Sequence, residues 1–186
     1  MISVAALLVP ALVAAVLVFL VSSLIHMLTP WHAGDFSQLP NEDRVLSALR
    51  PFNLVPGSYV APRPSSMKEM GTPEFQAKLT LGPSVMINVM PSGQRGMGRQ
   101  LALWFVYAFV VALFAGVVTS KALQPGADYK VVFKFVAAIA FGAYVMGLWQ
   151  MSIWYRRPWS VTLKSTIDGL LYGCITAGAF GWLWPR

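Results

Sequence analysis

The chain has only two histidines, and both lie in a short stretch that also holds its first acidic residue. His26 and His32 are six residues apart, and Asp35 follows His32 by three. Imidazole and carboxylate groups are ligands that zinc and iron accept in proteins. The spacing matches no established metal-binding motif, and a full ligand set needs residues from elsewhere. We therefore expect no bound metal, with His26 at a membrane interface and His32 and Asp35 in a turn. Metal binding by these three residues is the alternative.

A second candidate is Asp168, the one acidic residue within a long apolar stretch. A carboxylate in the middle of a membrane helix would indicate proton or ion translocation. Ser165 to Asp168, however, fit a capping box at a helix N-terminus, where a negative charge is favourable. Lys164 precedes Asp168 by four residues, and Arg156 and Arg157 are expected on the same side. These four charged residues predict a structural cluster at the membrane interface.

Other chemistry is not indicated by the sequence. There is one cysteine, Cys174, so an internal disulfide is impossible. We find no Walker loop and no GxSxG, HExxH or CxxC motif. We therefore assign no catalytic residue and no cofactor, and we do not expect an enzyme.

Four long apolar stretches must position these residues. A bilayer core of about 30 Å requires about 20 apolar helical residues to cross it. Residues are 56% hydrophobic and only 11% charged, whereas soluble domains carry about 25% charged residues. The pattern predicts an all-α membrane protein with four transmembrane helices, and a small α+β cytoplasmic loop region between helices 1 and 2. The predicted segments are helix 1 within 1–28, the loop region 29–99, and a three-helix membrane region 100–186 with helices 100–120, 131–155 and 166–184.

The loop region carries signals for both helices and strands. A short amphipathic helix is predicted from Asn41 to Arg50, and a second helix from Thr72 to about Leu79. Gly57–Val60 and Ser84–Met90 predict two short strands.

Small residues recur every four positions in two of the predicted spans. Residues at this spacing share one helix face, and a face of small side chains lets two membrane helices approach closely. The partner is either another helix of the chain or a second copy in a homo-oligomer. The residues are Gly169, Gly173, Ala177 and Gly181 in the fourth span, and Ala108, Ala112 and Gly116 in the second.

The distribution of charge predicts an orientation. The net charge is +7, from 14 basic and 7 acidic residues, and ten of the basic residues lie on the side of the large loop. Counting only basic residues near the ends of the spans, Arg95 among them, the margin is six to four. By the positive-inside rule the large loop is cytoplasmic in a bacterial inner membrane. Anionic lipid headgroups are the expected partners of these charges, and nucleic acid is not.

Several segments resemble a known group of proteins. They are Leu103–Tyr107, Pro125–Tyr129, Ser152–Arg157, Ser165–Pro185, Leu39–Glu42 and Gly82–Ser84. Through them the chain resembles a family of small uncharacterised bacterial inner-membrane proteins. The resemblance implies a bacterial origin and an integral membrane location, and it implies no activity, substrate or catalytic residue.

The function favoured by the sequence is a non-enzymatic membrane scaffold or accessory subunit of a larger complex, with a protein partner or a homo-oligomer. One alternative is a small oligomeric transporter or channel subunit. The other is a membrane metal-binding protein that uses His26, His32 and Asp35.

Overall fold

The computed structural model describes residues 2–93 and 96–186, which are mostly α-helical with one pair of strands. Three short 3-10 turns lie at Pro30–His32, Arg50–Phe52 and Met146–Leu148. The α-helices and strands are α1 (Val4–Leu28), α2 (Glu42–Leu49), β1 (Gly57–Ala61), α3 (Met67–Met70), α4 (Pro73–Leu81), β2 (Val85–Val89), α5 (Gly98–Ala122), α6 (Tyr129–Val145), α7 (Trp149–Tyr155) and α8 (Trp159–Leu183).

Within the described residues, three helical segments are long and apolar enough to cross a membrane, whereas the sequence predicts four. They are α1, α5 and the continuous segment Tyr129–Tyr155 that contains α6 and α7. The helix α8 is as long as α1, with 25 residues. However, the charged residues Lys164 and Asp168 lie in its N-terminal half and make it less apolar. The prediction of several membrane-compatible helices and a small sheet is confirmed.

The described chain divides into two units. The helical unit comprises residues 2–37 and 96–186, and the loop unit comprises residues 38–93. Residues 29–37 and 96–99, which the sequence assigns to the loop region 29–99, group with the helical unit in the structure. In that unit α1 packs against α5 and α8, and α6 packs against α5 and α8. Its core includes the fully buried side chains of Leu7, Val18, Val132, Val136 and Phe180.

The last two helices begin and end differently from the prediction. The predicted span 131–155 is interrupted by the 3-10 turn between α6 and α7. Arg156 then adopts a left-handed backbone with a φ of 58°, and Pro158 follows two residues later. A residue before proline is held out of the helical region, which separates α7 from the next helix. The helix α8 therefore begins at Trp159 and not at residue 166.

The small residues of α8 face α6 of the same chain. A Cβ added at Gly173 would lie 3.2 Å from the backbone nitrogen of Phe141 and 3.5 Å from the carbonyl oxygen of Ala137. A Cβ added at Gly181 would lie 2.6 Å from the ring of Tyr129. Backbone atoms cannot move aside as a flexible side chain can, so the close contact at Gly173 leaves little room for a larger residue.

The other predicted packing residues also lie inside the helical unit. A Cβ added at Gly169 would overlap Val145, and one added at Gly116 would overlap the Phe180 ring. Both glycines are buried. The remaining predicted packing residues, Ala108, Ala112 and Ala177, are fully buried.

In the loop unit, β1 and β2 form an antiparallel pair, from Gly57 opposite Val89 to Ala61 opposite Val85. These strands lie where the sequence predicts them. The helix α4 begins after Thr72, whose side chain accepts a hydrogen bond from the Phe75 backbone amide at 3.3 Å. Arg95, which entered the orientation count, lies outside the described residues.

Candidate metal centre

The C-terminal end of α1 places two aromatic side chains beside α8. Thr29 precedes Pro30 and takes an extended backbone, as the residue before a proline prefers. Its hydroxyl donates to the Ile25 carbonyl at 2.6 Å and accepts from the Trp31 backbone amide at 3.4 Å. The chain then turns through the 3-10 segment Pro30–His32. This turn brings Trp31 and His32 back against the N-terminal half of α8.

His32 is held between two carboxylates. Its Nδ1 lies 2.6 Å from Asp35 Oδ2, and its Nε2 lies 2.8 Å from Asp168 Oδ2. A neutral imidazole has one N–H and can donate to only one of them, whereas an imidazolium donates to both. The contact with Asp168 can therefore hold a proton on Nε2, or a metal ion that both atoms ligate.

Lys164 holds Asp35 from the other side. Its Nζ donates to Asp35 Oδ1 at 2.8 Å, and the Asp35 side chain is only 10% exposed. The hydrogen bond from Lys164, followed by that from His32, lowers the pKa of Asp35 below its ordinary value. Asp35 thus stays ionised and fixes the orientation of the His32 ring.

Asp168 is buried, and each of its oxygens contacts one side chain of the turn Pro30–His32. Besides its contact with His32, its Oδ1 accepts a hydrogen bond from Trp31 Nε1 at 3.1 Å. The residue is 6% exposed. Because α8 begins at Trp159, Asp168 lies in its third turn. The sequence had suggested that Asp168 belongs to a capping box at the start of the helix, and this prediction is wrong. The partner of Lys164 is Asp35 and not Asp168.

His26 completes the group from the last turns of α1. Its ring stacks on that of His32, with 4.2 Å between the ring centroids. One ligand atom each from His26, His32 and Asp168 lies within 4.8 Å of the others. Two ligands of a tetrahedral zinc ion, each about 2.0–2.1 Å from the metal, lie about 3.3 Å apart. The His32–Asp168 contact of 2.8 Å is shorter than this spacing and the group as a whole spans up to 4.8 Å, so a bound ion requires these side chains to shift.

A cavity of about 300 Å³ adjoins two of these ligands. His26 and Asp168 contribute to its wall, and four aromatic side chains form much of the remainder. The lining residues are His26, Trp104, Tyr107, Tyr144, Leu148, Ser165, Asp168, Gly169 and Tyr172.

The structure therefore regroups the residues singled out in the sequence. His26 and His32 come together, and both Asp35 and Asp168 contact the His32 ring nitrogens. Arg156 is exposed and lies apart from this group, and no ion pair joins Arg156 or Arg157 to an acid within the described ranges.

Arg157 instead stabilises the junction between α7 and α8. Its Nε donates to Thr162 Oγ1 at 3.2 Å, and the same Thr162 hydroxyl contacts the Ser152 hydroxyl at 2.6 Å. The predicted charge cluster of Arg156, Arg157, Lys164 and Asp168 is thus divided between two places in the helical unit.

One signal in the sequence could have indicated that α8 begins well before Asp168, and the hydrogen bonds of the structure agree with it. Lys164 and Asp168 are four residues apart, which puts them on one face of a helix that starts earlier. The hydroxyls of Ser165 and Thr166 donate to carbonyls four residues back, at 3.0 and 2.8 Å. Such bonds are typical of residues inside a helix and not of its N-cap.

Comparison with known protein families, with curated proteins and with solved structures finds no match to this chain.

Proposed function

We propose that this chain is a four-span integral membrane protein that holds a divalent transition-metal ion at His26, His32 and Asp168. The observation that carries the proposal is the convergence of these three side chains, His26 from α1, His32 from the turn that follows it, and Asp168 from α8, 136 residues beyond His32. Two imidazoles and one carboxylate suit zinc or iron(II), and three protein ligands leave a coordination position open.

The surroundings of His32 support the same assignment. A metal-bound histidine usually donates its second ring N–H to a carboxylate, which fixes the tautomer and raises the basicity of the ligating nitrogen. Asp35 stands at that second nitrogen, 2.6 Å away. Lys164 in turn neutralises Asp35, so the outer carboxylate is held ionised without competing for the metal.

The membrane setting is part of the proposal. With α8 as a fourth span, Trp31, Asp35 and Lys164 fall at the membrane interface and Asp168 lies just inside it. Ionisable residues at such a depth are paired and mark functional sites. The excess of basic residues around the large loop favours a cytoplasmic location for this end of the helices.

Metal binding to the chelator-treated protein tests the proposal. The tag-free protein is dialysed in detergent against Zn²⁺, and separately against Fe²⁺ under anaerobic conditions, and bound metal is measured per chain. We expect one equivalent in the wild type and loss of binding in His32→Ala and Asp168→Asn. Asp35→Asn removes only the outer partner, and should weaken binding about 10- to 100-fold.

Matched variants separate a specific site from adsorption to charge. Asp43→Asn and Asp128→Asn each remove an exposed carboxylate outside the cluster, and should leave binding unchanged. Binding that is absent from the wild type, or that survives both His32→Ala and Asp168→Asn, contradicts the proposal. In that case the cluster is a structural connection between α1 and α8.

The predictions of a scaffold or accessory subunit and of a transporter or channel subunit stay predictions. They are compatible with a metal ion that stabilises the helices, and co-purification in mild detergent addresses them. A stoichiometric protein partner would favour the scaffold, and a homo-oligomer alone would favour the pore.

A further inference from the structure

The cavity beside the metal ligands has features of a binding site in its own right. Its volume of about 300 Å³ is at the small end of the range for ligand sites. This volume suits a single substituted ring. Trp104, Tyr107, Tyr144 and Tyr172 pack around it with ring centroids 5.5–6.4 Å apart.

Two of the tyrosines that line the cavity have hydroxyls without partners. The hydroxyls of Tyr144 and Tyr172 are buried and make no hydrogen bond within the described chain. The residues are 6% and 4% exposed. The Thr176 hydroxyl lies near that of Tyr144, but the pair does not reach hydrogen-bond geometry. A buried hydroxyl without a partner costs free energy, and a ligand oxygen that accepts a hydrogen bond from it removes that cost.

The other aromatic donors of the wall are already satisfied. Trp104 Nε1 donates to the Ser22 hydroxyl at 2.7 Å, and the Tyr107 hydroxyl donates to the Ala143 carbonyl at 3.1 Å. Both Asp168 oxygens are also engaged, by Trp31 and His32. The carboxylate is therefore compensated and offers little to an organic cation, so the free donors determine the class of ligand.

We infer that this cavity binds a flat, apolar ring that carries carbonyl oxygens, as a quinone does, with Tyr144 and Tyr172 donating hydrogen bonds to it. The inference goes beyond the metal centre, with which the cavity shares His26 and Asp168. The aromatic rings supply apolar contact to the faces of the ligand. The two tyrosine hydroxyls distinguish a carbonyl from a hydrocarbon of the same shape.

The test compares two probes of matched shape. Duroquinone carries two carbonyls on a tetramethylated ring, and durene is the tetramethylated ring without them. Binding of each labelled probe is measured by equilibrium dialysis of protein in detergent, with protein-free micelles as the reference. We expect saturable binding of one duroquinone per chain and weaker binding of durene. Equal binding of the two probes, or partition no greater than in the empty micelles, would overturn the inference.

Single hydroxyl deletions locate the site. Tyr172→Phe and Tyr144→Phe should each weaken duroquinone binding about three- to tenfold, and Tyr155→Phe, on an exposed ring, should not. Tyr144→Phe and Tyr172→Phe each delete a hydroxyl that is unpaired in the ligand-free protein. Without ligand, the melting temperatures of these variants should therefore be no lower than that of the wild type. Unchanged binding in both Tyr144→Phe and Tyr172→Phe contradicts the inference.

The metal centre and the ring site can fail separately. Duroquinone binding is measured in chelator-treated protein, where the tyrosine hydroxyls alone must hold the carbonyls. Tyrosine-dependent binding without any metal affinity would remove the proposed function and keep this inference. Metal binding with no duroquinone binding would keep the proposed function and remove this inference.

Discussion

His32 Nε2 and Asp168 Oδ2 lie 2.8 Å apart although 136 residues separate them in the chain. The two side chains are 15% and 8% exposed. Their contact joins the turn after α1 to the third turn of α8. Because both are buried, removal of one partner leaves the facing polar atom of the other without its hydrogen bond, although His32 keeps Asp35 and Asp168 keeps Trp31.

Asp168→Asn should therefore lower stability even in metal-free protein. The amide keeps an acceptor for Trp31, but it removes the charge opposite His32. Loss of a charge-assisted hydrogen bond costs about 1.5–3 kcal/mol, and we expect a decrease of the free energy of unfolding in that range. Denaturant unfolding in detergent measures it. Asp43→Asn, which changes an exposed acid on α2, is the control, and an equally small effect for both variants would show that the contact contributes little.

The stability of metal-free protein should also depend on Asp35 at acid pH. The folded pKa of Asp35 lies below its ordinary value of 3.8 because Lys164 and His32 donate to it. Below pH 3.8 the unfolded chain binds the proton more readily than the folded chain, so stability falls as pH decreases. The contribution is fully present above pH 3.8 and is lost as pH falls through the folded pKa.

Lys164→Met tests this assignment, since it removes the main donor to Asp35 and keeps much of the side-chain length. Melting temperatures of the wild type and the variant are compared between pH 5 and pH 3 in the presence of chelator. The wild type should lose more stability than the variant over this interval. Parallel curves would show that Lys164 does not shift the pKa of Asp35.

The contact between α8 and α6 should tolerate no large side chain at Gly173. A Cβ added at Gly173 would lie only 3.2 Å from the backbone nitrogen of Phe141. Overpacking a site of this kind costs about 1–3 kcal/mol. Gly173→Leu should lower the melting temperature in detergent well below that of Leu170→Ala, a change at a side chain that is 53% exposed. Gly178→Ala serves as the matched glycine, because its nearest neighbour is 4.0 Å away. A neutral Gly173→Leu together with a severe Leu170→Ala would place the packing face elsewhere.

The positions of the helices were largely predictable, and their end points less so. The continuous apolar runs of α1 and α5 predict these two helices directly. The end of α1 is also predictable, because Thr29 precedes a proline. The strands β1 and β2 also lie between recognisable turn residues. The start of α8 was missed because Ser165 and Asp168 imitate a capping box, while Pro158 is what ends the preceding segment.

The partners of Asp168 could not be read from the sequence. Its contacts with Trp31 and His32 depend on how α1 packs against α8, and no local pattern specifies that packing. The pairing of His32 with Asp35 is different, because a three-residue spacing already allowed it. The sequence thus indicated His26, His32 and Asp35 as candidate metal ligands. In the structure Asp168 takes the place of Asp35 as the third candidate ligand, and Asp35 contacts His32.

The proposed orientation can be tested by chemical labelling. After replacement of Cys174, single cysteines are introduced at Ser65 and Gln124 and exposed in intact cells to a membrane-impermeant thiol reagent. A cytoplasmic large loop requires labelling at position 124 and none at position 65. The opposite pattern would invert the topology and place the metal ligands at the outer face.

The central claim is most directly tested on the histidines themselves. The chain contains only His26 and His32, so tag-free protein labelled with [15N]histidine gives ring signals from these two residues alone. Zn²⁺ is added to the chelator-treated protein and the imidazole nitrogens are followed by NMR. We expect both rings to shift together and to stop changing at one equivalent, and we expect the shift of His32 to be lost in Asp168→Asn. Rings that remain unchanged, or that drift without saturation, would contradict a metal centre at His26, His32 and Asp168.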